Sequence, residues 1–218
     1  MKKITLAVFT MILIITSVAN ADDAMEITDT FRQYVEAAVR SDGELAAGIF
    51  SDSAADYWDS MLKDALGLGR DELEKRPAYQ LFNIILIRKR MEDAPEIAQM
   101  DGRRWLQHSY SNGWNSVKAL NAFYENGDMF ELVPEITGES AELKIKYDGE
   151  ILPAGFPFVK ERGSWKIDGE KQFYRLERNI EAKMEYSGMS RSAYVDLLFK
   201  GSFGHSVPER FWQPANEK

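Results

Sequence analysis

The sequence predicts an α+β fold, with helices first, then an antiparallel sheet of about five strands, then a C-terminal helical extension. Apolar residues recur at helical spacing up to about residue 112, and strict alternation replaces that spacing from about residue 116. Dipeptides ending in glycine recur at short intervals in the alternating stretch, as expected of hairpins. Helical spacing returns after residue 170.

The first 21 residues are typical of a secretory signal peptide. Lys2 and Lys3 give a positive start, residues 4–18 are apolar apart from Thr and Ser, and residues 19–21 form a small-x-small cleavage site. The alternative is an uncleaved membrane anchor, but this apolar core is shorter than the roughly 20 residues that span a bilayer. We therefore expect cleavage after Ala21, a periplasmic or secreted protein, and no membrane association after cleavage.

The composition excludes several kinds of chemistry. The chain has no cysteine, which removes a lipoprotein box, disulfides, thiolate catalysis and Cys-ligated metal. Without Lys2 and Lys3, 25 basic residues stand against 35 acidic ones, a formal net charge of −10. A surface of this charge disfavours nucleic acid as a partner, because phosphate binding depends on clustered Lys and Arg.

The N-terminal half predicts at least four helices. Asp23 and Glu26 are spaced as a capping box for the first, which ends at residues 41–43. Residues 78–91 are apolar on nearly every side and predict the central core helix, with Arg88 among the cations that complement its carboxyl end. A further helix is expected over residues 94–112. The predicted buried stripes are Ile27, Phe31, Tyr34, Val35, Ala38 and Val39 in the first helix, and Trp58, Met61, Leu62 and Ala65 in the second.

Four turn dipeptides divide the alternating region into a meander. Asn126-Gly127 is the strongest hairpin signal because both residues tolerate the positive φ of a type I′ turn. Pro134 and Pro153 lack an N–H and should lie at strand ends, bulges or edges. The expected strands are 116–124, 129–136, 140–148, 151–161 and 164–169.

The hairpin FPFVKERGSWKIDG, residues 156–169, has one apolar face. A two-residue turn at residues 162–163 makes Lys160 face Trp165 and Phe158 face Ile167. The expected buried face consists of Phe156, Phe158, Trp165 and Ile167, and the opposite face of Glu161, Ser164, Lys166 and Asp168.

This hairpin, together with the helix-to-meander order, resembles the nuclear transport factor 2-like superfamily, also called the cystatin-like cone. The segment FVKERGSWKID is similar to a hairpin common in secreted members of that superfamily. The resemblance implies helices packed on one face of a curved sheet, often with a pocket between them. Its members include isomerases, dehydratases, cyclases, transport adaptors and catalytically silent binding domains, so the fold alone does not determine function.

Residues 171–218 are not part of the basic cone. Helical spacing predicts one helix ended by Gly188 and another capped by Ser190 and stopped by Gly201. The tail that follows contains Phe211 and Trp212, which either cover the domain or contact a partner. We therefore divide the chain into a signal peptide (1–21), one α+β domain (22–170) and an extension packed on it (171–218).

Catalytic motifs are scarce. His108 and His205 are isolated, and no zinc motif, G-x-S-x-G elbow, P-loop or dinucleotide-binding glycine pattern occurs. Asp56 and Asp59 fit a solvated helix face better than a pocket mouth. Asp168 or Glu142 could act as the base of a cone isomerase, but strand alternation turns both away from the apolar face.

Two functions remain open on the sequence alone. The first is an exported, non-catalytic binding or accessory domain of the cell envelope, with an unknown protein or a small apolar ligand as its partner. The second is a cofactor-free cone enzyme acting on a small organic substrate. We expect no catalytic residues, metal or cofactor, and a homodimer is possible. The candidate ligand-binding residues are Tyr34, Tyr57, Trp58, Tyr110, Tyr147 and Trp165, and the candidate partner-binding residues are Phe211 and Trp212.

Overall fold

The computed structural model describes the backbone of residues 2–115 and 118–215, and the side chains of residues 21–115, 120–121, 123–153 and 155–215. The predicted signal peptide therefore lies outside the described side chains, except for Ala21. Helices precede and follow an antiparallel sheet, so the predicted α+β class is confirmed.

The helices and strands are numbered in chain order. The α-helices are α1 (Lys2–Arg40), α2 (Gly43–Ile49), α3 (Asp52–Gly67), α4 (Arg70–Leu73), α5 (Ala78–Asp93), α6 (Gly102–Ser111), α7 (Lys118–Glu125), α8 (Gly169–Ser187) and α9 (Arg191–Phe203). The strands are β1 (Phe130–Thr137), β2 (Ser140–Tyr147), β3 (Glu150–Glu161) and β4 (Ser164–Ile167). Short 3-10 helices span Pro95–Gln99, Gly127–Met129 and Glu209–Trp212.

The chain forms two compact units, each made of two segments. Unit 1 is Met1–Ser51 with Ser109–Asp168, and unit 2 is Asp52–His108 with Gly169–Lys218. This division differs from the predicted domains, because the segment Asp52–His108 groups with the C-terminal helices and not with the sheet.

The sheet of unit 1 is a meander in the order β1-β2-β3-β4, as far as the described residues show. Three of the four predicted hairpin turns occur, and Gly138, Gly149 and Gly163 have the positive φ that such turns need. Arg162 also takes a positive φ of 52°. Phe50 pairs with Ile167 as a single parallel bridge, which adds a fifth segment beside β4.

The first predicted strand, residues 116–124, is wrong. Residues 118–125 form α7, while residues 116–117 lie outside the described part of the chain. Leu120 and Phe123 share one face of α7 and are buried, and the ring of Phe123 lies 5.2 Å from that of Phe31. Asn126-Gly127 consequently leads from a helix into a 3-10 turn, and Asn126 has φ −127° where a type I′ turn needs a positive value.

The two strand prolines lie where a missing N–H is tolerated. Pro134 is in β1, an edge strand, and Pro153 falls where the register between β2 and β3 shifts, between Lys144 and Lys146. This agrees with the expectation that both would occupy edges or bulges.

Helix α1 packs on the sheet through β1 and β4. The predicted cross-strand pairs Lys160–Trp165 and Phe158–Ile167 are confirmed. Phe158, Trp165 and Ile167 are fully buried, whereas Phe156 is only half-buried, with its ring 4.7 Å from that of Phe31.

The predicted capping box at Asp23 and Glu26 is wrong, because α1 runs through both residues without a break. Their carboxylates bind the hairpin instead. Asp23 accepts from the Trp165 indole N–H at 2.9 Å and from the Lys160 ammonium at 2.6 Å, and Glu26 accepts from the backbone N–H of Trp165 at 2.9 Å. These hydrogen bonds connect α1, close to the first of its residues whose side chains are described, to β3 and β4.

In unit 2, α5 is the central helix, as predicted, and contacts α3, α8, α9 and the 3-10 helix Glu209–Trp212. Arg88 was expected to complement the carboxyl end of α5, but its guanidinium is buried and bonds to other segments. It is 1% exposed, and its guanidinium donates to carbonyl oxygens at the end of α3 and to that of Phe211. Burial lowers the pKa of Arg88 to about 10, so the side chain stays cationic at neutral pH.

The C-terminal segment packs within unit 2. Helix α8 ends before Gly188 and Ser190 caps α9, as predicted, but α9 continues past Gly201 and ends before Gly204, which has φ 78°. Phe211 and Trp212 are buried. Their burial favours the covering role over the role of an exposed partner surface.

Candidate functional site

A cleft of about 340 Å³ lies in unit 2 among α3, α8 and the start of α5. Its size is at the lower end of the range for small-molecule sites. Most of its lining groups are polar, so the predicted apolar ligand does not suit this cleft. The lining residues are Ser53, Asp56, Tyr57, Ser60, Met61, Arg76, Gln80, Glu170 and Tyr174.

The sequence of α3 explains why Tyr57 lies in this cleft. Trp58, Met61 and Leu62 form the predicted buried stripe, while Asp56 and Ser60 are exposed. Tyr57 lies between these two faces, one turn before Met61, so its ring is buried at the border between core and solvent.

The hydroxyl group of Tyr57 has no hydrogen-bond partner among the described residues, although the side chain is only 8% exposed. Burial raises the pKa of this phenol, and Tyr79, Glu177 and Tyr174 add to the rise. The group is therefore a neutral hydroxyl at physiological pH. A buried donor of this kind is rare in folded proteins and calls for an explanation.

Aromatic neighbours hold the Tyr57 ring in place. Its centroid lies 4.9 Å from that of Phe173, 5.8 Å from that of Trp58 and 6.1 Å from that of Tyr174. The last two contacts are edge-on, a preferred geometry for aromatic pairs. Tyr174 is 47% exposed, so one aromatic ring of the lining is in contact with solvent.

The charged groups near the cleft are partly paired with one another. Arg76 donates to Asp64 at 2.9 Å, and Gln80 donates to Glu177 at 2.8 Å. Burial raises the pKa of the Asp64 carboxyl, while the guanidinium of Arg76 opposes that rise. The cleft thus presents hydrogen-bonding groups and little unpaired positive charge.

The six predicted ligand-binding residues are divided between the two units. Tyr57 and Trp58 are in unit 2, where only Tyr57 lines the cleft. Tyr34 and Tyr110 are buried in unit 1 with their hydroxyl oxygens 3.2 Å apart, and burial raises the pKa of Tyr34. The two hydroxyl groups hydrogen-bond to each other, and both side chains belong to the core of unit 1.

The remaining two candidates lie apart from these pairs. Tyr147 is the last residue of β2, and its side chain is about half exposed, with its ring 5.2 Å from that of Phe130. Trp165 is 1% exposed and lines an open groove of about 470 Å³ beside α1, together with Asp22, Glu26 and Asp29. A second small cleft of unit 1, about 260 Å³, is lined by Phe123, Tyr124 and Phe130 among others.

The titratable candidates do not assemble a catalytic group. Glu142 lies on the sheet face opposite Leu143, as predicted, and Asp59 accepts from the backbone N–H of Gly102. His205 contacts the carbonyl of Ser206 at 2.8 Å and is exposed. In the part of the chain that the structure describes, no three His, Asp or Glu side chains are grouped to hold a metal ion.

Of the nine residues that line the cleft, Tyr57 was predicted as ligand-binding and the others were not, among them Arg76, Gln80, Glu170 and Tyr174, which lie outside α3. Tyr174 comes from the segment treated as an extension and Glu170 is the last residue of the predicted domain, and the packing of α8 against α3 and α5 brings both to Tyr57. The local signal for the site was Asp56 next to Tyr57 on α3, a group weighed as a pocket mouth but assigned to a solvated face.

Among the residues whose side chains the structure describes, 21–115, 120–121, 123–153 and 155–215, no helix is long and apolar enough to cross a membrane. Comparisons with protein-family models, with curated proteins and with solved structures found no match for this chain.

Proposed function

We propose that this protein is an exported, non-catalytic binding domain of the cell envelope, and that it binds a small ligand in the cleft beside Tyr57. The N-terminal sequence supports export, because it has the charged start, apolar core and cleavage site typical of a signal peptide. The resemblance of unit 1 to the nuclear transport factor 2-like cones remains part of this proposal.

The observation that carries the proposal is the buried Tyr57 hydroxyl, which has no partner among the described residues. A donor left unpaired inside a protein costs about 1–3 kcal/mol of folding free energy, so the free protein is less stable for keeping one. A ligand with an acceptor oxygen in the cleft would remove that cost. Such an arrangement is typical of a binding site, in which polar groups are arranged before the ligand arrives.

The enzyme alternative has less support. A cone isomerase needs a carboxyl base set in an apolar pocket. In unit 2, burial raises the pKa of the Asp64 carboxyl, but this group is already paired with Arg76. Asp56, which lines the cleft, is exposed at its rim.

The test is a titration of the 15N-labelled mature chain, residues 22–218, with a library of neutral organic fragments, followed by amide NMR. We expect the shifted resonances to converge on Tyr57, Ser60 and Tyr174. Tyr57→Phe should weaken the best fragments about three- to tenfold, the worth of one neutral hydrogen bond.

Tyr186→Phe is the matched control, because Tyr186 is on the same helix as Tyr174 and is 96% exposed. This variant should bind like the wild type. Fragments that bind only elsewhere on the protein, or that bind Tyr57→Phe as well as the wild type, would contradict the proposal.

A further inference from the structure

The Tyr57 cleft combines a polar donor with an apolar wall. Tyr57 and Met61 are four residues apart on α3 and therefore lie on one face, and Met61 is only 2% exposed. Because the Tyr57 oxygen itself has almost no surface in solvent, a group that pairs with it must be small and enter past the lining side chains; an acceptor oxygen next to a small apolar group meets this requirement.

The outer part of the cleft has a different character. Ser60 and Gln80 carry groups that both donate and accept, with one N–H of the Gln80 amide already bonded to Glu177, whereas Asp56 and Glu170 only accept when ionised. Ligands rich in hydroxyl groups need donors and acceptors together, and this rim supplies both. The half-exposed ring of Tyr174 adds an apolar surface on which a flat ring face can lie.

The charges disfavour an anionic ligand. Two carboxylates, Asp56 and Glu170, line the cleft, and the cation that lines it, Arg76, is engaged by Asp64 at 2.9 Å. A phosphate or carboxylate would therefore meet like charge, with the lining guanidinium already committed to another carboxylate.

From these three features we infer that the cleft takes a neutral sugar that carries an acetamido group. The acetamido carbonyl accepts from the Tyr57 hydroxyl, and its methyl group lies against Met61. The pyranose ring lies on Tyr174, and its hydroxyl groups bond to the polar rim. This inference rests on the proposed function, since it names the ligand class of the same site.

The test compares three probes by titration calorimetry and NMR: N-acetylglucosamine, glucose and glucosamine. N-acetylglucosamine should bind about fivefold or more tightly than glucose, since glucose lacks the carbonyl that pairs with Tyr57. Glucosamine lacks the acetyl group and should also bind more weakly when the pH is above the pKa of its amine, so that all three sugars are neutral and the attraction of Asp56 and Glu170 for an ammonium group does not contribute. Tyr57→Phe should abolish the preference for N-acetylglucosamine, and Tyr186→Phe should retain it.

A second measurement on the wild-type protein needs no variant. An intermolecular nuclear Overhauser effect between the acetamido methyl group and the Met61 methyl group is expected. Equal affinity for N-acetylglucosamine and glucose, or no effect at Met61, would overturn the inference. If neutral fragments bind at Tyr57 and none of the sugars does, the inference fails while the proposed function stands, and failure of both probe sets refutes both.

Discussion

Trp165 joins the hairpin to α1, and its replacement tests the account of unit 1. The side chain is 1% exposed, its indole N–H donates to Asp23 at 2.9 Å, and its backbone N–H donates to Glu26. Trp165→Ala removes the buried ring and leaves a cavity, which costs about 3–5 kcal/mol. A loss of that size is a large part of the stability of an ordinary domain.

Trp165→Phe separates the ring from its hydrogen bond. Phenylalanine keeps much of the buried surface but cannot donate to Asp23, which retains the ammonium of Lys160. The loss should be about 1.5–3 kcal/mol, the worth of one hydrogen bond to a charged acceptor, whereas Trp165→Ala loses this bond and the packing of the ring as well. The predicted order is therefore wild type, then Phe, then Ala, with a clear gap between the two variants.

The assay is urea unfolding followed by far-ultraviolet circular dichroism, which does not depend on the tryptophan that is replaced. The slope of free energy against urea should stay constant, so that the midpoints report stability. A cost below about 1 kcal/mol for Trp165→Ala would mean that the ring is exposed. Equal losses for the two variants would mean that packing contributes nothing beyond the hydrogen bond.

Three further predictions concern other contacts. Gly102→Ala should destabilise unit 2 by about 1–3 kcal/mol or more in thermal melts, because the added Cβ would overlap the carbonyl oxygen of Ala55. Gly67→Ala is the control, because Gly67 has open space around it, and this variant should be as stable as the wild type or more stable. Arg88→Met should cost more than about 3 kcal/mol in urea unfolding, because it leaves several buried carbonyl groups without a donor. Hydrogen bonds from Lys160 and Trp165 hold the pKa of the Asp23 carboxyl below its ordinary value of 3.8. The stability that this carboxylate adds is therefore present above pH 3.8 and is lost as the pH falls through the lowered pKa. Asp23→Asn should flatten this loss of stability in thermal melts between pH 2 and 5.

The meander could be predicted because its turns are local. Gly138, Gly149 and Gly163 take the positive φ that glycine allows, and the alternating residues between them determine which strand face is buried. The dipeptide Asn126-Gly127 also predicts a hairpin turn, but no hairpin forms there. There the burial of Leu120 and Phe123 stabilises a helix before the dipeptide, and tertiary packing overrides the turn preference.

The candidate site was only partly predictable. Tyr57 could be proposed from α3 alone, but Tyr174 and Glu170 are more than 100 positions further along the chain and reach it only through the packing of α8. The pair Tyr34 and Tyr110 looked equally suitable as ligand-binding donors. Their hydroxyl groups meet each other inside unit 1, which local spacing cannot show.

The proposed function requires that the Tyr57 hydroxyl be unpaired in the free protein and reserved for a ligand. Urea unfolding of Tyr57→Phe without ligand tests it most directly, with Tyr186→Phe as control. Removing an unpaired buried hydroxyl should leave the protein as stable as the wild type or up to about 1 kcal/mol more stable. A loss of about 1 kcal/mol or more would show that the hydroxyl already has a partner within the fold, and would contradict the account.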